Sequence, residues 1–203
     1  MNSLLKEVPD NPARQPLKVR LVLVATQLLT EPRAARLPTM REIASQAGVT
    51  PGAAYRHFAS QGDLFMAVIA HLFGELERAL KISVVAAGPP DRALESIAVA
   101  YVEWGLQNAG GYQLLFETTD DPNHMATGAR PGLHMIEQLA RVFAHGLTPT
   151  DHDVSKATRL WVSLHGLVSL RTHKTGMPWP TTLDEDIVAI IRQVQESLPD
   201  STN

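Results

Sequence analysis

Residues 39–58, TMREIASQAGVTPGAAYRHF, constrain the fold more tightly than any other stretch of the chain. They place two helix starts on either side of one glycine. Thr39 and Glu42 have the spacing at which a hydroxyl and a carboxylate satisfy each other's free amides at a helix N-terminus. Ile43, Ala44 and Ala47 then recur at helical spacing, so one face can be buried. Gly48 follows, the residue that adopts a left-handed backbone at a helix end at least cost. Thr50 is placed to cap a second helix, with Pro51 in the first turn, where its missing amide costs nothing. Two helices of roughly two turns each, joined by a turn containing Gly, describe a helix-turn-helix.

The flanking sequence reads the same way. Residues 1–15 hold Pro9, Pro12 and mixed charges without periodicity, the pattern of a mobile arm. From Pro16 an apolar helix is expected to about residue 29, with Leu21, Val24, Ala25, Leu28 and Leu29 on one face, ended by TEPRAARLP. Ser60 and Asp63 repeat the capping spacing and open a long helix to about residue 83, stopped by AAGPPD. Asp91 is expected to start a helix through about residue 108, divided by Gly110–Gly111 from a short one, YQLLFE. TTDDPNHMATG is a loop of about eleven residues, long enough to suggest a gate. Pro131 begins the next helix, to about residue 145. Thr150 with Asp153 and Thr182 with Glu185 cap the last two, separated by TGMPWPTT and ending near residue 198. No strand alternation and no repeat is visible. The expectation is an all-α chain of about nine helices: an arm (1–15), a three-helix domain holding the helix-turn-helix (16–62), and a larger helical domain (63–203).

Charge adds a second constraint. The net charge is −3, which by itself argues against a polyanionic partner. It is unevenly spread. Residues 1–60 carry eight Lys/Arg against Glu7, Asp10, Glu31 and Glu42, a balance of +4, which leaves −7 for the rest. The attraction for phosphate therefore lies where the helix-turn-helix lies. There is no cysteine, so disulfides, thiol nucleophiles and thiolate metal sites are excluded. No stretch approaches the roughly 18 apolar residues of a membrane span, and a cytoplasmic protein is expected. G-x-S-x-G, H-E-x-x-H and a Gly-rich phosphate loop are all absent, and the eight histidines are scattered. An enzyme is not expected, nor a metal site, nor a cofactor.

The segment from residue 17 to 73 resembles the DNA-binding region of the TetR family of bacterial transcriptional regulators. Ala25, the whole of residues 39–58 and S-x-x-DLF at Ser60–Phe65 carry the likeness. LWVSLHGLVSL, residues 160–170, together with YQLLFE, is similar to the TetR subgroup whose C-terminal domain is named for a Trp-His-Gly signature, here Trp161, His165 and Gly166. Gln61 stands where most relatives carry Lys. The resemblance implies a homodimer bound to a palindromic DNA operator, with repression relieved by a small organic effector. A ligand-binding protein of the same fold with weak or lost DNA binding is the alternative.

In such a motif the second helix enters the major groove, its N-terminal residues on base edges. Thr50, Pro51, Gly52 and Ala53 form that end, Ala53 in reach of a thymine methyl, and Arg56 is suited to guanine. Thr39, Tyr55, His57 and Gln61 are expected on phosphates, with Arg14, Lys18 and Arg20 reaching the backbone or minor groove. Phe58 is expected in the core. Tyr101, Trp104, Phe116, His134, Met135, Gln138, Trp161 and His165 are the candidate walls of a ligand cavity. Dimerisation is expected through helices eight and nine, along Leu160, Leu164, Leu167 and Val168 on one and Ile187, Ile190, Ile191 and Val194 on the other.

Overall fold

In the computed structural model the described residues are 15–30, 38–87, 92–117 and 131–197. Among them are nine helices and no strand. The chain divides into two compact units, Met1–His71 and Leu72–Asn203.

The first unit holds α1 (Leu17–Thr30), α2 (Met40–Gln46), α3 (Pro51–Tyr55) and the opening turns of α4 (Gln61–Ala87). Thr39 and Glu42 make the reciprocal box: the Thr39 amide donates to Glu42 Oε2 at 2.7 Å, and the Glu42 amide to Thr39 Oγ1 at 3.3 Å. Gly48 takes φ +70°, and the Val49 amide returns to the Ala44 carbonyl at 2.9 Å. The chain is thereby turned into Thr50, whose hydroxyl accepts from the Ala53 amide at 3.3 Å. The second helix is shorter than the expected two turns. It closes because the His57 and Phe58 amides both bond back to the Ala54 carbonyl, at 2.9 and 3.1 Å. That tight turn drives Phe58 into a core of Leu21, Ala25, Ile43, Ala44, Ala54 and Leu64. Ser60 and Asp63 cap α4 reciprocally, at 2.9 and 3.1 Å.

The second unit holds the rest of α4 with α5 (Ala93–Gln107), α6 (Ala109–Phe116), α7 (Pro131–Phe143), α8 (Asp151–His173) and α9 (Leu183–Ser197). α8 is its axis and packs on α5, α7 and α9. Both capping boxes expected here form: the Thr150 amide reaches Asp153 at 2.8 Å and the Thr182 amide reaches Glu185 at 2.8 Å. In each case the carboxylate is held below its ordinary range, first by that backbone amide.

Several boundaries differ from the sequence reading. α4 runs one turn further, to Ala87. α5 has Arg92 at its N-cap, with no side-chain cap bond, and Asp91 lies outside the described residues. The α5–α6 break falls at Asn108, whose side-chain amide donates to the Trp104 carbonyl at 3.0 Å. Gly110 and Gly111 belong to the first turn of α6 instead. At Gly111 the glycine answers to packing, because a Cβ would meet Leu72 Cδ2 at 2.9 Å. α7 ends at Phe143, since His145 (φ 50°) and Gly146 (φ 81°) form a left-handed turn that hands the Gly146 amide to the Arg141 carbonyl at 3.1 Å. The arm to residue 14, most of TEPRAARLP and the whole of TTDDPNHMATG lie outside the described residues.

Most of the expected dimer stripe is turned inward, although Ile190 and Ile191 are only half-buried. Leu160, Leu164, Leu167 and Val168 are all buried within the protomer, as are Ile187 and Val194. α8 is packed on α5, α7 and α9, and these six side chains are part of the protomer's own core.

Candidate functional site

The helix-turn-helix presents a surface sorted by residue. Thr39, Thr50, Gly52, Tyr55, Arg56, His57 and Gln61 are exposed and Pro51 is half-buried. Tyr55 keeps 52% of its surface, unusual for an aromatic side chain with a core within reach. Nothing lies within 4 Å of the place a Gly52 Cβ would occupy, so the front of α3 is open. Ala53, at 9% exposure, is buried with Ala54 and lies two positions, about half a helical turn, from the exposed Tyr55.

Two further candidates have bonds within the protein. The Arg20 guanidinium donates to the Ala47 carbonyl at 2.9 Å, closing the C-terminus of α2. Gln61 Nε2 donates to the Pro38 carbonyl at 2.8 Å. That bond ties the start of α4 to the residue before the Thr39 cap, so one of its amide hydrogens is already committed. Lys18 lies over the Phe58 ring, 5.6 Å from its centroid. Arg14 is outside the described residues.

In the second unit, the candidate ligand residues separate into groups. His134, Met135 and Gln138 line a cavity of about 790 Å³ between α4, α5 and α7, within the size range of small-molecule sites. Its apolar wall includes Leu80, Val84, Ile97 and Val142, and its polar side includes Glu77, Lys81 and Arg141. His134 Nε2 meets Glu77 Oε1 at 2.8 Å and Gln138 Nε2 at 3.1 Å. The sequence reading missed the α4 and α5 contributions. The i, i+3, i+4, i+7 run of Glu77, Leu80, Lys81 and Val84 was the available signal, since it puts four residues on one helix face.

Two family models match. That for bacterial regulatory proteins of the tetR family covers residues 34–68, and that for the tetracyclin repressor-like C-terminal domain covers residues 94–194. The chain carries both domains of the TetR family. These are the domains of a DNA-binding transcriptional regulator. No curated protein sequence matches. Among solved structures, a transcriptional regulator from Rhodococcus sp. RHA1 is 19% identical, covering 89% of this chain and 96% of its own at a TM-score of 0.67. The multidrug binding protein EbrR, solved with imidazole, is 20% identical over 93% of this chain and 98% of its own, with a TM-score of 0.66. A TetR/AcrR-family regulator from Thermobifida fusca is 19% identical over 92% and 98%, at 0.58. These likenesses are of fold.

The remaining candidates of this TetR C-terminal domain stand apart from the cavity wall. Trp104 is buried near Gly111. Tyr101, Phe116, Trp161 and His165 form one aromatic cluster, with Tyr112, which the sequence reading overlooked, at its centre. Trp161 Nε1 donates to the Tyr101 oxygen at 3.1 Å, Tyr101 and Tyr112 hydroxyls meet at 2.9 Å, and Tyr112 reaches His165 Nδ1 at 2.6 Å. An indole N–H can only donate. The order that gives every hydroxyl hydrogen a partner within the cluster is Trp161 to Tyr101 to Tyr112 to His165, with the imidazole proton on Nε2. Burial pushes both phenols up and His165 down, the latter opposed by Glu117. These bonds tie α5, α6 and α8 together as a brace.

Gly132 fits the same brace: a Cβ there would meet Trp161 Cη2 at 2.9 Å. Among the described residues no group of His, Asp and Glu could hold a metal ion. No described helix is long and apolar enough to cross a membrane.

Proposed function

We propose that the chain is a homodimeric repressor that binds a palindromic operator and leaves it when a small organic ligand occupies the α4–α5–α7 cavity. The observation that carries the DNA reading is the α3 surface. Tyr55, Arg56 and His57 are exposed together beside Gly52, while Ala53, Ala54 and Phe58 hold the same turn to its core. Arg56 reads a guanine edge, and Tyr55, His57, Thr39 and Thr50 hold phosphates.

The dimer uses the face of α8 and α9 left uncovered in the protomer, where Val162, Gly166 and Leu170 recur every four residues and Val188 stands on α9. Of the Trp-His-Gly signature, Trp161 and His165 belong to the aromatic brace and Gly166 to this open face, so the narrower subgroup rests on two separate roles. α4, which contributes residues to both units, is on this reading the element that couples ligand and DNA. The protein works in the cytoplasm, where its operator is.

A salt titration of binding to DNA flanking its own gene tests the reading. Tight binding at low salt should fall steeply as salt rises, in the manner of counterion release. Arg56→Ala should weaken specific binding by about 1–3 kcal/mol and relax the preference for the cognate sequence. Binding that survives Arg56→Ala and Tyr55→Phe together would defeat the assignment. One observation favours the alternative, a ligand-binding protein of this fold without DNA binding: Gln61 supplies no charge and is engaged with Pro38. That alternative predicts no salt-dependent binding at all.

A further inference from the structure

Resting on the reading of the α4–α5–α7 cavity as the ligand site, we infer that its ligand is an amphipathic anion, an apolar body ending in one acidic group such as a carboxylate. The body is assigned by the wall. Leu80, Val84, Ile97, Met135 and Val142 offer no hydrogen-bonding group, so what rests on them gains by losing water and by nothing else.

The acidic group is assigned by charge accounting around the polar side. Glu77 is the one carboxylate lining the cavity, and it is already met, by His134 Nε2 at 2.8 Å and by Lys81 Nζ at 3.8 Å. Arg141 also lines the cavity, and among the described residues no carboxylate stands within ion-pair distance of it. Lys81 and Arg141 stand against Glu77, so the Lys, Arg and carboxylate side chains of the lining amount to two cations and one anion.

The alternatives fit less well. A cationic head would add a third positive charge. It would also find few carbonyls at the end of α7, because the turn there already uses those of Ala140 and Arg141, at 2.9 and 3.1 Å. A neutral head leaves the guanidinium to water. A carboxylate completes it, and guanidinium is the side chain whose planar fork matches a carboxylate best. The chain of the ligand then lies toward Ile97 and Met135, and its head toward Arg141.

Three ten-carbon probes that differ only in their head group test this: decanoate, decanol and decyltrimethylammonium, titrated calorimetrically into the full chain below their aggregation concentrations. Decanoate should bind about tenfold more tightly than either of the others, the equivalent of one hydrogen bond to a charged group. Arg141→Gln should remove that advantage and leave decanol within about twofold. Arg141→Glu should favour decyltrimethylammonium. Ile97→Trp, which fills the apolar end, should abolish binding of all three. Equal binding of the cation, unchanged decanoate binding in Arg141→Gln, or no binding of any probe overturns the inference. Binding that persists in Ile97→Trp overturns the cavity reading beneath it, a separate failure.

Discussion

Protonating His165 removes the acceptor that Tyr112 needs, and because Trp161 can only donate, the chain of hydroxyls cannot simply reverse. If Tyr112 turned to accept from the imidazolium, its own hydrogen would point at a Tyr101 oxygen already receiving the indole. The Tyr101 hydrogen would then be left without a partner inside the cluster, at the cost of a buried unsatisfied group. Burial depresses His165 below its ordinary value of 6.5, so the unfolded chain binds this proton more readily than the folded one. The stabilisation from the neutral ring is thus complete above about pH 6.5 and is lost as pH falls through the lower folded value. Melting temperature should therefore drop between pH 7 and 5 more steeply in the wild type than in His165→Gln, whose amide oxygen still accepts from Tyr112 but does not titrate. Parallel slopes would remove His165 as the cause. At this scale the sequence was only half legible. His165, Trp161 and Tyr101 could be picked out as inward polar aromatics on apolar helices. Tyr112 could not, because what distinguishes it is contact with residues 11 and 53 positions away, and no local spacing encodes that.

Helices whose ends carry their own chemistry were readable before any packing was known. Four N-termini, at Thr39, Ser60, Thr150 and Thr182, close when the cap amide donates to a carboxylate three residues on, a bond set by the sequence interval alone. The α5–α6 break was misplaced because a glycine pair reads as a stop, whereas here Gly111 answers to Leu72. Glycine spacing reports both turns and close approaches, and only the fold tells them apart. Gly105 and Gly166 make the contrast testable. A Cβ on Gly105 would stand 2.7 Å from Val168 Cγ1 and 2.9 Å from Tyr112 Cδ2, both on buried residues, while Gly166 meets nothing within 4 Å. Gly105→Ala should destabilise by about 1–3 kcal/mol, because α5 cannot move off α6 and α8 without opening the core. Gly166→Ala should cost nothing within the protomer and should gain up to about 1 kcal/mol from helix propensity. Chemical denaturation of the two variants checks the pair; equal effects would mean that α5 is not pinned as described.

For the whole molecule, the inside of α8 was harder to tell from its outside. Its sequence carries apolar residues on more than one face, so periodicity marks α8 as a packing helix without saying which side meets its own chain. The stripe read as intermolecular, Leu160 to Val168, is the one the protomer consumes, and what remains outward is Val162 at 57% exposure and Leu170 at 49%, with Val188 at 40% on α9. Repeated every four residues around an unfilled Gly166, this is a surface on which a second copy can pack closely through a two-fold axis. On the proposed reading the same face bears on DNA binding, since a palindromic operator would be engaged by two reading helices only when they are joined. Val162→Asp with Val188→Asp should therefore convert the protein to monomers in sedimentation, with helical circular dichroism unchanged. Operator binding should weaken far more than through loss of a single contact, because each subunit then binds a half-site alone. Leu147→Asp, at a residue 76% exposed between α7 and α8, adds the same charge elsewhere and should leave both properties intact. A double variant that remains dimeric would place the interface on another surface. A monomeric double variant that still binds the operator as tightly as the wild type would separate the dimer from the reading of DNA.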